Sequence, residues 1–189
     1  MGRSPQHLVI VLLCSLLVLA GCGNSRAPVP NLSQPATPTS FRTLTFAGVT
    51  LQAPSNWSVV NERPPLVTVV ASGTAVVALW RFPRSAPVPI GRTALSQAAA
   101  QLIQAVRARD ASLQVIRATT VTLDHRPAIE LDAFERINGQ PRRVRSTHVF
   151  VPGAELVLDE YAPSAIFHAV DHTVFSPVKR SLTLSPNAG

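Results

Sequence analysis

The segment AIELDAFERINGQPRRVRSTHVFV, residues 128–151, decides the fold. Two runs rich in apolar, β-branched and aromatic residues flank Asn138-Gly139, a pair suited to the two positive φ angles that a two-residue hairpin turn requires. A loop of that length fixes the register of 128–137 against 140–151. It sets Glu135 opposite Arg142 and Asp132 opposite Arg145, so that opposite charges meet across the strands. The same register gathers Ile129, Leu131 and Ala133 with Val144 on one face, where His148 also falls. A slip of one residue would send them all to the other side.

Outward from the hairpin, strand-like runs dominate. Residues 41–46, 49–53, 57–60, 66–72 and 75–82 are short and rich in Val, Thr and aromatics, separated by Ala47-Gly48, Pro54-Ser55, Pro64-Pro65 and Gly73. Turn chemistry between such runs predicts an antiparallel meander. Thr93 is the expected cap of a helix running to about Asp110, with Leu95, Ala99, Leu102, Ile103 and Val106 recurring on one side. A strand over 114–123 and a turn over 124–127 lead into the hairpin. A further strand over 154–161 follows Pro152-Gly153, a turn that fixes register less well. A closing helix spans about 164–175, and Pro177 either kinks it or starts a last turn before SLTL. The predicted fold class is α+β, an antiparallel β-sheet packed with a few α-helices. Residues 41–185 form this single domain, long enough to bury a substantial core.

The first forty residues are of a different kind. Arg3 precedes an apolar run over 8–20, whose 13 residues fall short of the roughly 20 that a membrane-spanning helix requires. The run ends in Leu19-Ala20-Gly21-Cys22. This resembles the lipobox of bacterial lipoproteins, in which the cysteine thiol receives a diacylglyceryl group and the chain is cut just before it. The resemblance makes 1–21 a signal peptide, places the cleavage between Gly21 and Cys22, and makes Cys22 the lipidated N-terminus of the mature chain. Such a cysteine carries acyl chains of the palmitate kind, and two chains anchor durably where one is marginal. Cys14 would leave with the signal, so no intramolecular disulfide is expected. Residues 22–40, Pro-, Ser- and Thr-rich with little to bury, read as an unpacked tether.

Seventeen Lys and Arg against ten Asp and Glu give a formal charge of +7, or 16 − 10 = +6 once Arg3 is removed. All but Lys179 are arginine. In an exported protein these charges point away from nucleic acid and toward an envelope protein, lipid or anionic polymer as partner. Arg142, Arg143 and Arg145 form the densest basic cluster. Arg143 has no carboxylate opposite it in the hairpin register and is the candidate anion contact. HAVDH places His168 and His172 one helical turn apart, as zinc ligands would sit. The glutamate that a metalloprotease helix carries after its first histidine is replaced by Ala169. Ile166, Phe167, Val170 and Val174 claim the apolar face and turn both histidines to solvent. The sequence holds no G-x-S-x-G, P-loop or dinucleotide fingerprint, and neither a cofactor nor a catalytic or metal-binding set is expected.

The order of features resembles a known family. GVTLQAPSNWSVV (48–60), the helix before VTLDHRPAIEL (121–131), the hairpin FERINGQPRRVRSTHVFV (134–151) and VFSPVKRSLTL (174–184) are similar to the PsbP-like domains of bacterial envelope lipoproteins, including the LpqN type. Members often carry a glycine in the turn where this chain has His125. The resemblance implies a sheet packed with helices and a non-catalytic binding or accessory role on the extracytoplasmic side of the cell membrane. An envelope hydrolase or metal-dependent enzyme is the alternative, and would need three converging polar ligands around a pocket. Replacing Cys22 by alanine should abolish incorporation of radiolabelled fatty acid. A Cys22→Ala chain that still took up label would refute the lipobox reading.

Overall fold

The computed structural model describes residues 27–110 and 112–185. Gly21, Cys22 and the apolar run lie outside them, and among the described residues no helix is long and apolar enough to cross a membrane. Ten strands and a few helices make an α+β domain with two antiparallel sheets. The large sheet contains β3 (Ser58–Asn61), β4 (Leu66–Ser72), β5 (Ala75–Pro83), β6 (Gln114–Leu123), β7 (Arg126–Ile137), β8 (Gln140–Val151) and β9 (Ala154–Ala162). Their spatial order is β3-β4-β5-β9-β8-β7-β6. The small sheet pairs β1 (Phe41–Phe46) with β2 (Val49–Pro54) and adds β10 (Thr183–Leu184) on the free side of β2.

The Asn138-Gly139 hairpin forms in the expected register, Asp132 opposite Arg145 and Glu135 opposite Arg142, with both turn residues at positive φ. The expected single meander divides in two. After β2 the chain turns at Pro54–Trp57 and buries Trp57, so β3 opens the large sheet while β1 and β2 lie over its face. The residues between β6 and β7 also form a two-residue hairpin turn, with Asp124 and His125 both at positive φ where Asn and Gly are the usual choice. The Asp124 carboxylate accepts the Leu184 backbone N–H at 2.8 Å, so this turn holds the last strand in place.

One face of the large sheet carries helix α1 (Gly91–Arg109), whose Leu95 and Val106 pack on Ile129, Leu131 and Phe150. The apolar stripe is the expected one, but the start is not. The helix begins at Gly91 rather than being capped by Thr93, and Ile90 precedes it with no side-chain cap. The opposite face carries the small sheet and a continuous helical segment of three parts: α2 (Ser164–Val170), a π-helical turn (Asp171–Phe175) and α3 (Ser176–Ser181). Phe167, Val170, Phe175 and Val178 meet Val77, Leu79 and Leu158 of the sheet there. His168 and His172 are exposed on the outer side. A cavity in this layer, lined by Leu79, Thr147, Leu158 and Leu184 among others, has about 10 Å³, at the limit for one water molecule.

Residues 27–40, expected within a free tether, have no regular secondary structure yet lie on the domain. Ala27 packs against the buried cluster that includes Val144, Val157 and Tyr161, and the Tyr161 hydroxyl donates to the Pro28 carbonyl. Ser72 Oγ accepts the Ala36 N–H at 2.9 Å, Trp57 Nε1 donates to the Ala36 carbonyl at 3.0 Å, and Asn56 Nδ2 donates to Thr37 at 2.8 Å. The backbone of Ser33 and Gln34 crosses directly over Gly73, which holds φ +52° in the β4–β5 turn. A methyl group there would stand 2.2 Å from the Ser33 carbonyl oxygen. Gly73→Ala should therefore destabilise the fold by about 1–3 kcal/mol, from a strained φ and a displaced N-terminal strap, read from the urea unfolding midpoint. An unchanged midpoint would show that the strap does not press on this turn.

Candidate functional site

The densest polar constellation is a row of alternating charge across four adjacent strands, Arg117 (β6), Asp132 (β7), Arg145 (β8) and Glu160 (β9), directly paired in the sheet registers. The period of two puts all four on the face that carries the C-terminal helices. Arg117 Nη2 meets Asp132 Oδ2 at 2.9 Å, Arg145 lies 3.9 Å from Asp132, and its Nη1 lies 3.7 Å from Glu160. From above, the first residue of the π-helical turn closes on the row. Asp171 takes a bidentate pair of hydrogen bonds from Arg145 at 2.6 and 3.0 Å, and one from the Ser176 hydroxyl at 2.8 Å. One row along the sheet, Glu130 accepts from Lys179 of α3 at 2.5 Å.

Burial sets the protonation states. Glu160 has no exposed surface, and neither carboxyl oxygen has a hydrogen-bond partner among the described residues. Desolvation pushes its pKa from 4.5 to about 8 despite the nearby Lys179 and Arg145. Burial would likewise pull Arg145 down, but its bonds to Asp171 and the charges of Glu160 and Glu130 hold it above the ordinary arginine value. Asp171 is held below the usual carboxylate range, the Arg145 and Ser176 hydrogen bonds outweighing its own desolvation.

The row places the sequence-derived candidates. Asp132 and Arg145 face each other as the hairpin register requires. Arg142, expected to pair with Glu135, turns instead to the Thr74 carbonyl at 3.5 Å and makes no ion pair among the described residues. Burial lowers its pKa. Arg143, chosen because Phe134 and no carboxylate stands opposite, reaches diagonally to Asp132 at 3.8 Å and lies 5.0 Å over the Phe167 ring. It keeps 38% of its side chain exposed. No group of three or more His, Cys, Asp or Glu residues among those described is placed to hold a metal.

A second polar cluster lies on the α1 face. Ser146 donates to Asp159, whose pKa is raised by burial, while His148 Nδ1 sits 2.7 Å from Glu155. Glu135 rises to about 7 through desolvation and the charges of Asp159 and Asp110. Ser146 and His148 share a face but turn to different carboxyls. The hydroxyl-to-imidazole contact that activates a serine nucleophile is not made here.

No family model matches the chain, and no curated protein matches it in sequence. Solved structures do match in fold. Cyanobacterial PsbP (CyanoP) from Synechocystis sp. PCC 6803 aligns with a TM-score of 0.54 at 15% identity, over 88% of this chain and 98% of that one. LpqN of Mycobacterium tuberculosis, described as involved in cell envelope biogenesis, aligns with a TM-score of 0.51 at 16% identity, over 81% and 90%. The fold is PsbP-like.

Arg145 neutralises several carboxylates at once, so Arg145→Met should cost about 3–5 kcal/mol through the charges it strands. Glu160 tests the row from the other side. The folded chain keeps its Glu160 proton up to about pH 8, whereas the unfolded chain releases it near the ordinary value of 4.5. Between those values the native state binds more protons, so stability falls as pH rises, and Glu135 adds a fall of the same sign up to about pH 7. Glu160→Gln should flatten the decline toward pH 8, measured by urea unfolding across that interval. An equally steep decline in the variant would place the ionisation elsewhere.

Proposed function

We propose that the protein is an extracytoplasmic lipoprotein of the cell envelope, anchored through Cys22, whose folded domain serves a non-enzymatic binding or accessory role. The observation that carries this reading is the state of its main polar constellation. Asp132 and Glu160 are sealed beneath the helical layer with Arg145 between them, and Asp171 closes on Arg145 from above, so the constellation is shut off from a substrate in solution. The lipobox-like sequence supports the anchor. The PsbP-like fold, shared with a mycobacterial protein described as acting in cell envelope biogenesis, supports the setting.

Photocrosslinking in intact cells, followed by identification of the bound lipids and proteins, tests the role. The expected outcome is a reproducible envelope adduct, with no turnover of ester, peptide or phosphoester substrates by the purified protein. Zinc bound one to one and lost in His168→Ala or His172→Ala together with a hydrolytic activity would overturn the reading in favour of an enzyme.

A further inference from the structure

The docked strap changes where the domain stands. Once residues 27–40 are fixed to the fold, only five peptide steps separate Ala27 from Cys22, a reach of at most about 18 Å. Ala27 also sits at a particular end of the sheet. It packs against the cluster that includes Ile137, Val144 and Tyr161, and the hydroxyl of Tyr161, which pairs with Val144 on the half of the sheet nearer the Asn138-Gly139 turn, holds the neighbouring Pro28 carbonyl. The β4–β5 turn under the strap lies at the same end, since Arg142 of β8 reaches the Thr74 carbonyl there. So does the last turn of α1, because Ser112, just beyond it, accepts the Arg136 N–H.

That end is basic and partly apolar. Arg107 and Arg109 are exposed in the last turn of α1, and Arg136 is exposed beside the hairpin turn. Arg143, opposite Phe134, keeps 38% of its side chain exposed after pairing with Asp132, and Arg117, further along the sheet at the level of Asp132, keeps 65%. Phe134 and Ile116, 40% and 53% exposed, lie among them. Of the carboxyls nearby, Asp132 is buried in the charge row, Glu135 is raised toward neutrality, and the half-buried Asp110 is engaged by Glu135 and by the Ser112 N–H.

We propose that the hairpin end of the domain docks on the anionic phospholipid surface to which the chain is tethered, the arginines meeting headgroup phosphates while Phe134 and Ile116 enter the interface. This rests on the lipidation of Cys22. A short tether alone would restrict height. The emergence of the tether at the end that carries these arginines sets orientation as well, since each exposed arginine gains from a negatively charged leaflet within a screening length of it.

The test uses the purified lipidated protein with a fluorophore on Gln140→Cys or Thr122→Cys, exposed sites level with Ile137 and Pro127, roughly 33 Å apart along the strands. The labelled protein is placed on vesicles carrying nitroxide headgroups, either of phosphatidylcholine alone or with about a third phosphatidylglycerol. On the anionic vesicles quenching at position 140 should exceed that at position 122 several-fold. The difference should shrink in about 1 M salt, where the screening length falls to about 3 Å, and in the double variant Arg107→Glu, Arg136→Glu. Equal quenching at the two sites of vesicle-bound protein would overturn the docking and leave the anchor intact. Failure to remain on neutral vesicles, with position 140 still quenched on anionic ones, would overturn the anchor and leave the docking intact.

Discussion

Arg145 is the residue around which the two layers are built. A buried guanidinium requires partners, and the sheet places the carboxyls of Asp132 and Glu160 at its sides, but neither makes a close hydrogen bond with it. The bidentate contact comes from Asp171, which belongs to the helical layer. Ions removed from water need good geometry on most of their donors. The C-terminal segment is therefore held to the sheet by electrostatics as well as by Phe167, Val170 and Phe175, and the guanidinium also lies over the Phe167 ring at 5.5 Å. The π-helical turn begins at Asp171, where the chain must present that carboxylate inward while still burying Val174 and Phe175 side by side.

The arrangement also explains the low acidity of Glu160. Four carboxyls, Glu130, Asp132, Glu160 and Asp171, surround Arg145 and Lys179. The most buried member, with the poorest hydrogen bonding, keeps its proton. Charge balance is thus reached inside the protein, and exposed arginines, among them those of the hairpin end, are left over at the surface. A net positive chain that neutralises its interior ions locally directs its remaining charge outward, where partners meet it.

The strap gives that surface a setting. By composition, 22–40 has little to bury, and proline-rich chain of this kind is ordinarily extended and free. What holds residues 27–40 is mostly the domain's own polar groups, the Tyr161 hydroxyl, the Trp57 indole N–H, the Asn56 amide and the Ser72 hydroxyl, each meeting strap backbone. The sequence of the strap does not advertise those partners, because they lie as far as 133 residues away.

The sequence by itself determined the strand and helix content, the apolar stripes of α1 and α2, the solvent-facing histidines and the hairpin register, because period and turn chemistry are local. It made Asp132–Arg145 legible for the same reason. Tertiary structure decided the rest. Arg117 joins the row only through a hairpin whose turn residues, Asp124 and His125, lack the usual glycine, and through a bulge at Ile116 that shifts the register. Glu160 depends on the β8–β9 pairing across Pro152-Gly153, a turn that does not by itself fix which residues face each other. Asp171 and Lys179 depend on how a helix lies across a sheet, which no local pattern encodes. The diagonal reach of Arg143 and the turn of Arg142 toward Thr74 have the same origin. A strand register says which residues are opposite, and only packing from the layer above says which way a long side chain leans.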